Sequence, residues 1–166
     1  MRKNSGFTLV ELMIAIAIIA IVAGITIPGI MGWLPNYRLR SAVLELEGNI
    51  QWTRLQAIKR NQTWAVLFDP GNGFYYVCSD PGGNDIWDGP VSMGGDGDTV
   101  ARAVNLADYG SGVNITAVSS ADFTFSNRGI AGFNYNVDLT NQNNSTAYQI
   151  NVSISGGVAT TITKTG

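Results

Sequence analysis

An apolar stretch near the amino terminus constrains the fold more than any other feature of the sequence. From Phe7 to Pro28, 17 of 22 residues are apolar, and Glu11 is the single charged residue among them. As a helix, residues 7–27 would extend about 31 Å, enough to cross the hydrocarbon core of a bilayer. Two positive charges, Arg2 and Lys3, precede the stretch and favour a cytoplasmic amino terminus. The sequence therefore predicts one membrane span, with the rest of the chain beyond it.

The position of Glu11 separates three interpretations of this span. A secretory signal would need a small-residue cleavage site after the apolar run, and residues 24–28 offer a poor one. A plain membrane anchor fits the length but does not explain a carboxylate that costs at least about 2.5 kcal/mol in hydrocarbon. In the third interpretation, the span carries Glu11 for a function that pairs its carboxylate with a partner. The alternative is that Glu11 is a charge tolerated near the membrane interface.

Composition argues against catalysis. The 166-residue chain contains no histidine and one cysteine, Cys78. Histidine is the commonest general base and a common metal ligand, so its absence excludes Ser-His-Asp, Cys-His and histidine–metal chemistry. One cysteine cannot close an intramolecular disulfide, and its apolar surroundings in sequence predict a buried side chain. We therefore expect a protein that is not an enzyme.

The residues around Glu11 resemble the processing site of type IV pilins and type II secretion pseudopilins; they read Gly6-Phe7-Thr8-Leu9-Val10-Glu11-Leu12. The resemblance implies that a prepilin peptidase cleaves after Gly6 and that the new amino terminus, Phe7, is N-methylated. Glu11 would then be the fifth residue of the mature chain. Pairing between this carboxylate and the Phe7 ammonium of a neighbouring subunit would offset the desolvation of both and set the register of assembly.

A second, amphipathic helical segment follows the span. Pro28 lies where many pilins carry a helix-melting proline, which implies a kink there. Apolar residues then recur at helical spacing through residues 36–60, namely Leu39, Val43, Leu46, Ile50 and Ala57, with Ala42, Thr53 and Leu55 nearby. The polar side carries a local charge balance of +3, from Arg38, Arg40, Glu45, Glu47, Arg54, Lys59 and Arg60. It would meet lipid headgroups or neighbouring subunits, or be a solvated face.

The sequence period changes to two after residue 62, which predicts β-strands. A turn at residues 69–73 and another at 155–157 predict two hairpins. Because helices and strands do not alternate, the sheets should be antiparallel. The predicted strands are Thr63–Phe68, Phe74–Cys78, Val100–Leu106, Val113–Val118, Phe123–Phe125, Phe133–Leu139, Tyr148–Ile154 and Val158–Thr163.

One loop is rich in acids and is the candidate for a cation site. Its carboxylates could supply oxygen ligands to calcium, although their spacing matches no EF-hand; they are Asp80, Asp85, Asp88, Asp96 and Asp98. A solvated loop is the alternative that we favour, with no cofactor otherwise expected. Trp87 is expected to pin this loop to the sheet.

The carboxyl-terminal part resembles one group of this family, the H-type pseudopilins and FimT-like minor pilins. Four segments carry this resemblance: 55–61, 87–91, 123–129 and 150–158. The resemblance implies an α+β fold, in which a long N-terminal helix packs against two small antiparallel sheets. We divide the chain into a leader (1–6), a membrane and assembly half of the helix (7–33), an amphipathic half (34–62) and a β domain (63–166).

The favoured function is that of a minor pilin or pseudopilin that assembles into, or primes, a type IV pilus or type II secretion pseudopilus. Its implied partners are prepilin peptidase, other pilins or pseudopilins and the inner-membrane assembly platform. The resemblance places the anchor in the bacterial inner membrane and the β domain in the periplasm.

The alternative is a minor pilin that captures DNA or a secreted substrate. From Asn61 onward the chain has three basic and nine acidic residues, which argues against a nucleic-acid partner. The DNA-uptake members also resemble one another in a turn with arginines beside glycine, whereas the matching turn here, residues 156–159, has none.

Overall fold

The computed structural model describes residues 7–79, 87, 89, 98–110, 112–141 and 146–164; for 27–31 and 164 it describes the backbone only. The chain divides after Leu34 into two compact units. One helix, α1, covers Leu9–Arg60. The described strands are β1 (Trp64–Asp69), β2 (Phe74–Ser79), β3 (Thr99–Asn105), β4 (Asn114–Val118), β5 (Asp122–Phe125), β6 (Tyr135–Thr140), β7 (Thr146–Val152) and β8 (Val158–Lys164).

The amino-terminal unit consists of the apolar part of α1. The segment Leu9–Thr26 is long and apolar enough to cross a membrane, and none of its residues is buried within the protein. The helical backbone continues through position 28. A kink at Pro28 therefore stays a prediction.

The carboxyl-terminal end of α1 closes with a hydrogen-bond pattern that fixes where the helix stops. Asn61 takes a left-handed conformation, with φ of 53°. The N–H of Gln62 donates to the carbonyl of Ala57, and the N–H of Asn61 donates to that of Ile58. These two bonds form a Schellman motif, which satisfies carbonyls that the last turn would otherwise leave unpaired. The chain then enters β1 directly.

The strands form two antiparallel four-stranded sheets. Sheet A has the order β3-β2-β1-β5, and sheet B has the order β4-β6-β7-β8. Both predicted hairpins are confirmed, because β1 pairs with β2 and β7 pairs with β8 over their full lengths. The predicted α+β architecture of a long helix and two small antiparallel sheets is also confirmed.

The core lies between α1 and the two sheets, and all of it belongs to the unit that begins at Pro35. The helical positions predicted to face it are buried: Leu39, Ala42, Val43, Leu46, Ile50, Thr53 and Ala57. Leu55 is the exception, since it is 62% exposed and lies on the opposite side of the helix. Because this unit encloses its own core, we expect residues 35–166 to fold without the apolar segment.

A polar network joins the buried face of α1 to sheet A. Asn49 is 2% exposed and donates from Nδ2 to the Tyr75 hydroxyl at 2.8 Å. Its Oδ1 accepts from Nη1 of Arg102 on β3 at 2.5 Å. The Arg102 guanidinium lies 4.1 Å from the centroid of the Trp52 ring, which is a cation–π contact. With both ends of its amide paired, Asn49 tolerates a buried position and fixes α1 against β2 and β3.

Candidate functional site

The predicted assembly residue, Glu11, lies in the first turn of α1. Its Oε2 accepts from the backbone N–H of Thr8 at 2.9 Å and from the Thr8 hydroxyl at 2.7 Å. The Glu11 N–H in turn points at the Thr8 hydroxyl oxygen, 3.3 Å away. This reciprocal arrangement is a capping box, in which a threonine and the glutamate three residues later satisfy the first free N–H groups of a helix.

The capping box explains how a carboxylate is held at the head of an apolar helix within one subunit. This box was not predicted from the sequence, although the Thr-x-x-Glu spacing before an apolar run is its signature. Phe7 precedes the box and is 80% exposed. Gly6 and the rest of the leader lie outside the described residues, so cleavage after Gly6 and methylation of Phe7 remain predictions.

A second cluster lies near the end of α1 that leads into β1. Arg54 is half-buried, and its Nε donates to the carbonyl of Gly129 at 2.9 Å. Its Nη2 donates to the carbonyl of Ser155 at 3.1 Å. Arg54 was expected on the outward polar side of the helix, and that expectation is wrong. The side chain instead links α1 to two turns that are distant in sequence.

The two turns that Arg54 links contain glycines with left-handed backbones. Gly129 has φ of 71° and Gly156 has φ of 79°. A Cβ at Gly156 would lie 2.5 Å from Nε of Arg54 and 2.5 Å from the Gly129 carbonyl oxygen. Both glycines fall within segments on which the family resemblance rests. The turn at residues 156–159 lacks an arginine of its own, but Arg54 extends from α1 and donates to the carbonyl of Ser155, directly before this turn.

The acidic loop is described only at a few positions. Asp98 accepts from the N–H of Gly89 through Oδ2 at 2.8 Å. Trp87 is partly buried and packs with Ala65, Leu67 and Cys78, as expected for a residue that holds the loop to the sheet. Asp80, Asp85, Asp88 and Asp96 lie outside the described residues, as does the predicted calcium site. Within the described part of the chain, no group of three or more acidic, cysteine or histidine side chains is placed to hold a metal.

Cys78 occupies the interior of β2, where the sequence predicted a buried side chain. Burial, with a smaller contribution from Asp98, raises the pKa of its thiol to about 12. A thiol that stays protonated at neutral pH is a poor nucleophile. Cys78 is therefore a core residue and not a reactive one.

Comparison with known families decides the identity of the β domain and the helix that carries it. Residues 42–156 match the family described as type II transport protein GspH. The chain belongs to the GspH family. Residues 1–27 match the prokaryotic N-terminal methylation motif, which covers the leader, Glu11 and the apolar helix. The resemblance to pilins and pseudopilins is thus confirmed over most of the chain.

Solved structures with the same fold include a minor pilin and a minor pseudopilin. The type IV minor pilin FimU of Pseudomonas aeruginosa PAO1 aligns with 12% identity and a TM-score of 0.55, over 75% of this chain and 88% of FimU. The minor pseudopilin EpsH from the type 2 secretion system of Vibrio cholerae aligns with 8% identity and a TM-score of 0.56, over 75% of this chain and 96% of EpsH. At sequence identities of 12% and 8%, these similarities show a shared fold. No curated protein matches the sequence.

Membership of the GspH family identifies the chain as a structural protein. The family and the proteins that share its fold are structural pilins and pseudopilins rather than enzymes. The chain is a pilin-type subunit with one apolar amino-terminal helix suited to a membrane anchor. The family implies processing by a prepilin peptidase and assembly with other pilins.

Proposed function

We propose that this GspH-family chain is a minor filament subunit that is cleaved between Gly6 and Phe7 and methylated on Phe7. It then joins or primes a type IV pilus or a type II secretion pseudopilus from an inner-membrane assembly platform. The observation that carries the proposal is the position of Glu11, which lies in the first turn of α1 and is the one charged residue of the apolar segment 7–28. The β domain works on the periplasmic side of the membrane.

The role of Glu11 follows from the energetics of a carboxylate in an apolar environment. Within one subunit, Thr8 donates two hydrogen bonds to it. Those bonds leave its negative charge without a counter-ion, and a lone charge is costly in hydrocarbon. The ammonium of a processed Phe7 on a neighbouring subunit supplies the opposite charge. Only one axial position of the incoming helix brings the two groups together, so the pair sets the register of the subunit.

Processing at Gly6 provides the direct experiment. The full-length chain and its Gly6→Leu variant are expressed with the native prepilin peptidase, and the amino termini are identified by mass spectrometry. The natural chain should begin at methylated Phe7, whereas the variant should retain residues 1–6 because a bulky residue blocks the cleavage position. The retained leader should also keep the variant out of purified filaments.

A second glycine gives a matched control for this experiment. Gly24 lies in the same apolar helix, and a Cβ added there would meet nothing within 4 Å. Gly24→Leu should be processed to the same Phe7 terminus, because it leaves the cleavage site unchanged. A mature terminus at any other residue would contradict the assigned site. Absence of the processed chain from filaments would contradict the proposed function.

A further inference from the structure

In the described part of the chain, no strand lies on the outer side of β8, the last strand of sheet B. β8 pairs with β7 through seven residue pairs without a shift in register. The side chains from Ala159 to Thr163 are exposed and Val158 is half-exposed, while the Thr160 hydroxyl donates to Glu47 of α1 at 3.2 Å. Among the described residues, β7 is the only strand that pairs with β8. The opposite edge of β8 therefore presents backbone groups to solvent.

The hydrogen-bond pattern identifies the backbone groups that point outward. In the turn before β8, the N–H of Ser153 donates to the carbonyl of Gly157 at 2.8 Å, so this pair is hydrogen-bonded. Bonded and non-bonded pairs alternate along an antiparallel ladder. Residues 159, 161 and 163 thus bond to β7. Val158, Thr160 and Ile162 direct their N–H and C=O groups away from the sheet.

The other three sheet edges each have a feature that hinders the addition of a strand. β3 carries Arg102, and its pairing with β2 includes a register shift. β4 has a register shift between Ile115 and Ala117. β5 is only four residues long, and Phe125 forms a bridge with Ala131 on its outer side. Bulges, charges and short or covered strands are the usual means by which proteins protect their edges.

β8 lacks these protective features as far as Thr163, and its single charged residue, Lys164, ends the strand. Residues 158–163 contain no proline and no charged residue. The side chain of Ile162 lies on the same face of the sheet as that of the core residue Ile150, but it is 56% exposed. A strand placed beside β8 would satisfy the outward backbone groups and cover part of this apolar side chain. Strand addition of this kind draws its affinity from main-chain hydrogen bonds.

The direction of the strands restricts what can pair with β8. Every neighbouring pair in sheet B is antiparallel, so its two edges, β4 and β8, run in opposite directions. Copies of this fold arranged side by side in one orientation would therefore bring antiparallel edges together. Antiparallel pairing of β8 with β8 of a second copy requires a two-fold axis and gives a closed pair, whereas a filament grows through contacts between different surfaces of successive subunits.

We propose that β8 pairs in antiparallel orientation with a sheet-edge strand of an adjacent pilin-type subunit anchored in the same membrane. This inference rests on the proposed function, because it needs a filament in which such a neighbour exists. The contact is made by the backbone groups of residues 158, 160 and 162. It joins the sheets of two subunits outside the membrane, independently of the contact at Glu11.

Photo-crosslinking in cells that assemble the filament tests the proposal. The full chain carries benzoylphenylalanine in place of Thr163, and adducts are mapped by mass spectrometry. They should join β8 to an edge strand of another pilin-type subunit. Ile162→Pro should lower their yield about tenfold, because it removes an outward N–H that the added strand needs. Ile162→Thr keeps that N–H and should retain most of the adduct.

Thermal unfolding of residues 35–166 separates loss of pairing from loss of folding. Ile162→Pro should leave the melting temperature nearly unchanged, because proline is tolerated where the N–H faces solvent. Thr161→Pro should lower the melting temperature clearly, because its N–H bonds to β7. A larger fall in melting temperature for Ile162→Pro than for Thr161→Pro would overturn the assignment of the outward groups and with it the proposal.

The outcomes in cells distinguish this inference from the proposed function. Incorporation into filaments with no adduct from β8, or with an adduct that Ile162→Pro leaves unchanged, would overturn strand pairing and leave the proposed function intact. Adducts that join β8 to β8 of a second copy would show a closed pair and overturn the proposed contact. Absence of the chain from filaments would overturn both.

Discussion

Nε of Arg54 lies 2.9 Å from the carbonyl oxygen of Gly129, a residue 75 positions later in the chain. The same guanidinium donates to Ser155, 101 positions later. One helical side chain thus fixes the turn after β5 and the turn between β7 and β8 at the end of α1. Its fork of donors suits this task, because it can reach two carbonyls at once.

Replacement of Arg54 should destabilise the β domain. Arg54→Ala removes both hydrogen bonds, and we expect the free energy of unfolding to fall by about 1.5–3 kcal/mol, the range for hydrogen bonds to charged groups. Urea unfolding of residues 35–166 measures it. Arg40→Ala, at an exposed arginine of the same helix, should change stability by less than about 0.5 kcal/mol. Equal effects of the two variants would contradict the linking role of Arg54.

Gly156 should be less replaceable than another glycine of the same backbone conformation. Gly156 and Gly73 both have positive φ, 79° and 71°, so an alanine at either costs about 1–2 kcal/mol. At Gly73 the added Cβ meets nothing within 4 Å, whereas at Gly156 it meets Arg54 and a backbone oxygen. Gly156→Ala should therefore lower the melting temperature of the domain more than Gly73→Ala. Equal shifts would show that the turn moves away from Arg54 without cost.

Local sequence patterns were sufficient to predict the elements of this fold. Apolar spacing identified the buried side of α1 from Leu39 to Ala57 because a helix repeats its faces every 3.6 residues. All eight predicted strands are present, and their bounds shift by no more than two residues. The turn residues at 69–73 identified the first hairpin. These signals depend on residues close together in the chain, which a sequence displays directly.

Contacts between distant residues were not predictable in this way. Arg54 was assigned to the outward side because it is charged, and its partners are backbone carbonyls of turns far along the chain. Leu55 has an apolar side chain but faces outward. Asn49 gave no signal as a core residue, because its burial depends on Tyr75 and Arg102. Only the folded arrangement brings these partners together.

Alkaline pH should destabilise the domain through Cys78. The pKa of its thiol is raised to about 12 in the folded state from an ordinary value near 9. The stability that the protonated thiol contributes is thus fully present below pH 9 and is lost as the pH rises towards 12. Burial also raises the pKa of Tyr75, which adds a loss in the same direction above pH 10.

Urea unfolding of residues 35–166 at pH 8, 9 and 10 measures this loss. Cys78→Ala should flatten the decline between pH 9 and 10, because it removes the thiol and leaves Tyr75 in place. Cys78→Ala should also be less stable at pH 8, because removal of the sulfur leaves a cavity. The comparison is unaffected, since it uses only the slope of the free energy of unfolding against pH. An unchanged slope in Cys78→Ala would show that the thiol does not titrate in this range.

The capping box separates the two possible roles of Glu11. Glu11→Gln keeps an oxygen that can accept from Thr8 but removes the charge, so the helix should still begin at the same residue. Incorporation into filaments should fall at least about tenfold, because loss of one partner of a buried ion pair costs about 3–5 kcal/mol. Thr8→Val removes the hydroxyl, which donates to Glu11 at 2.7 Å, and keeps the charge. It should be incorporated nearly normally. Quantitative mass spectrometry of purified filaments compares the two variants, and the opposite order would mean that Glu11 acts as a helix cap and not as the charge that registers the subunit.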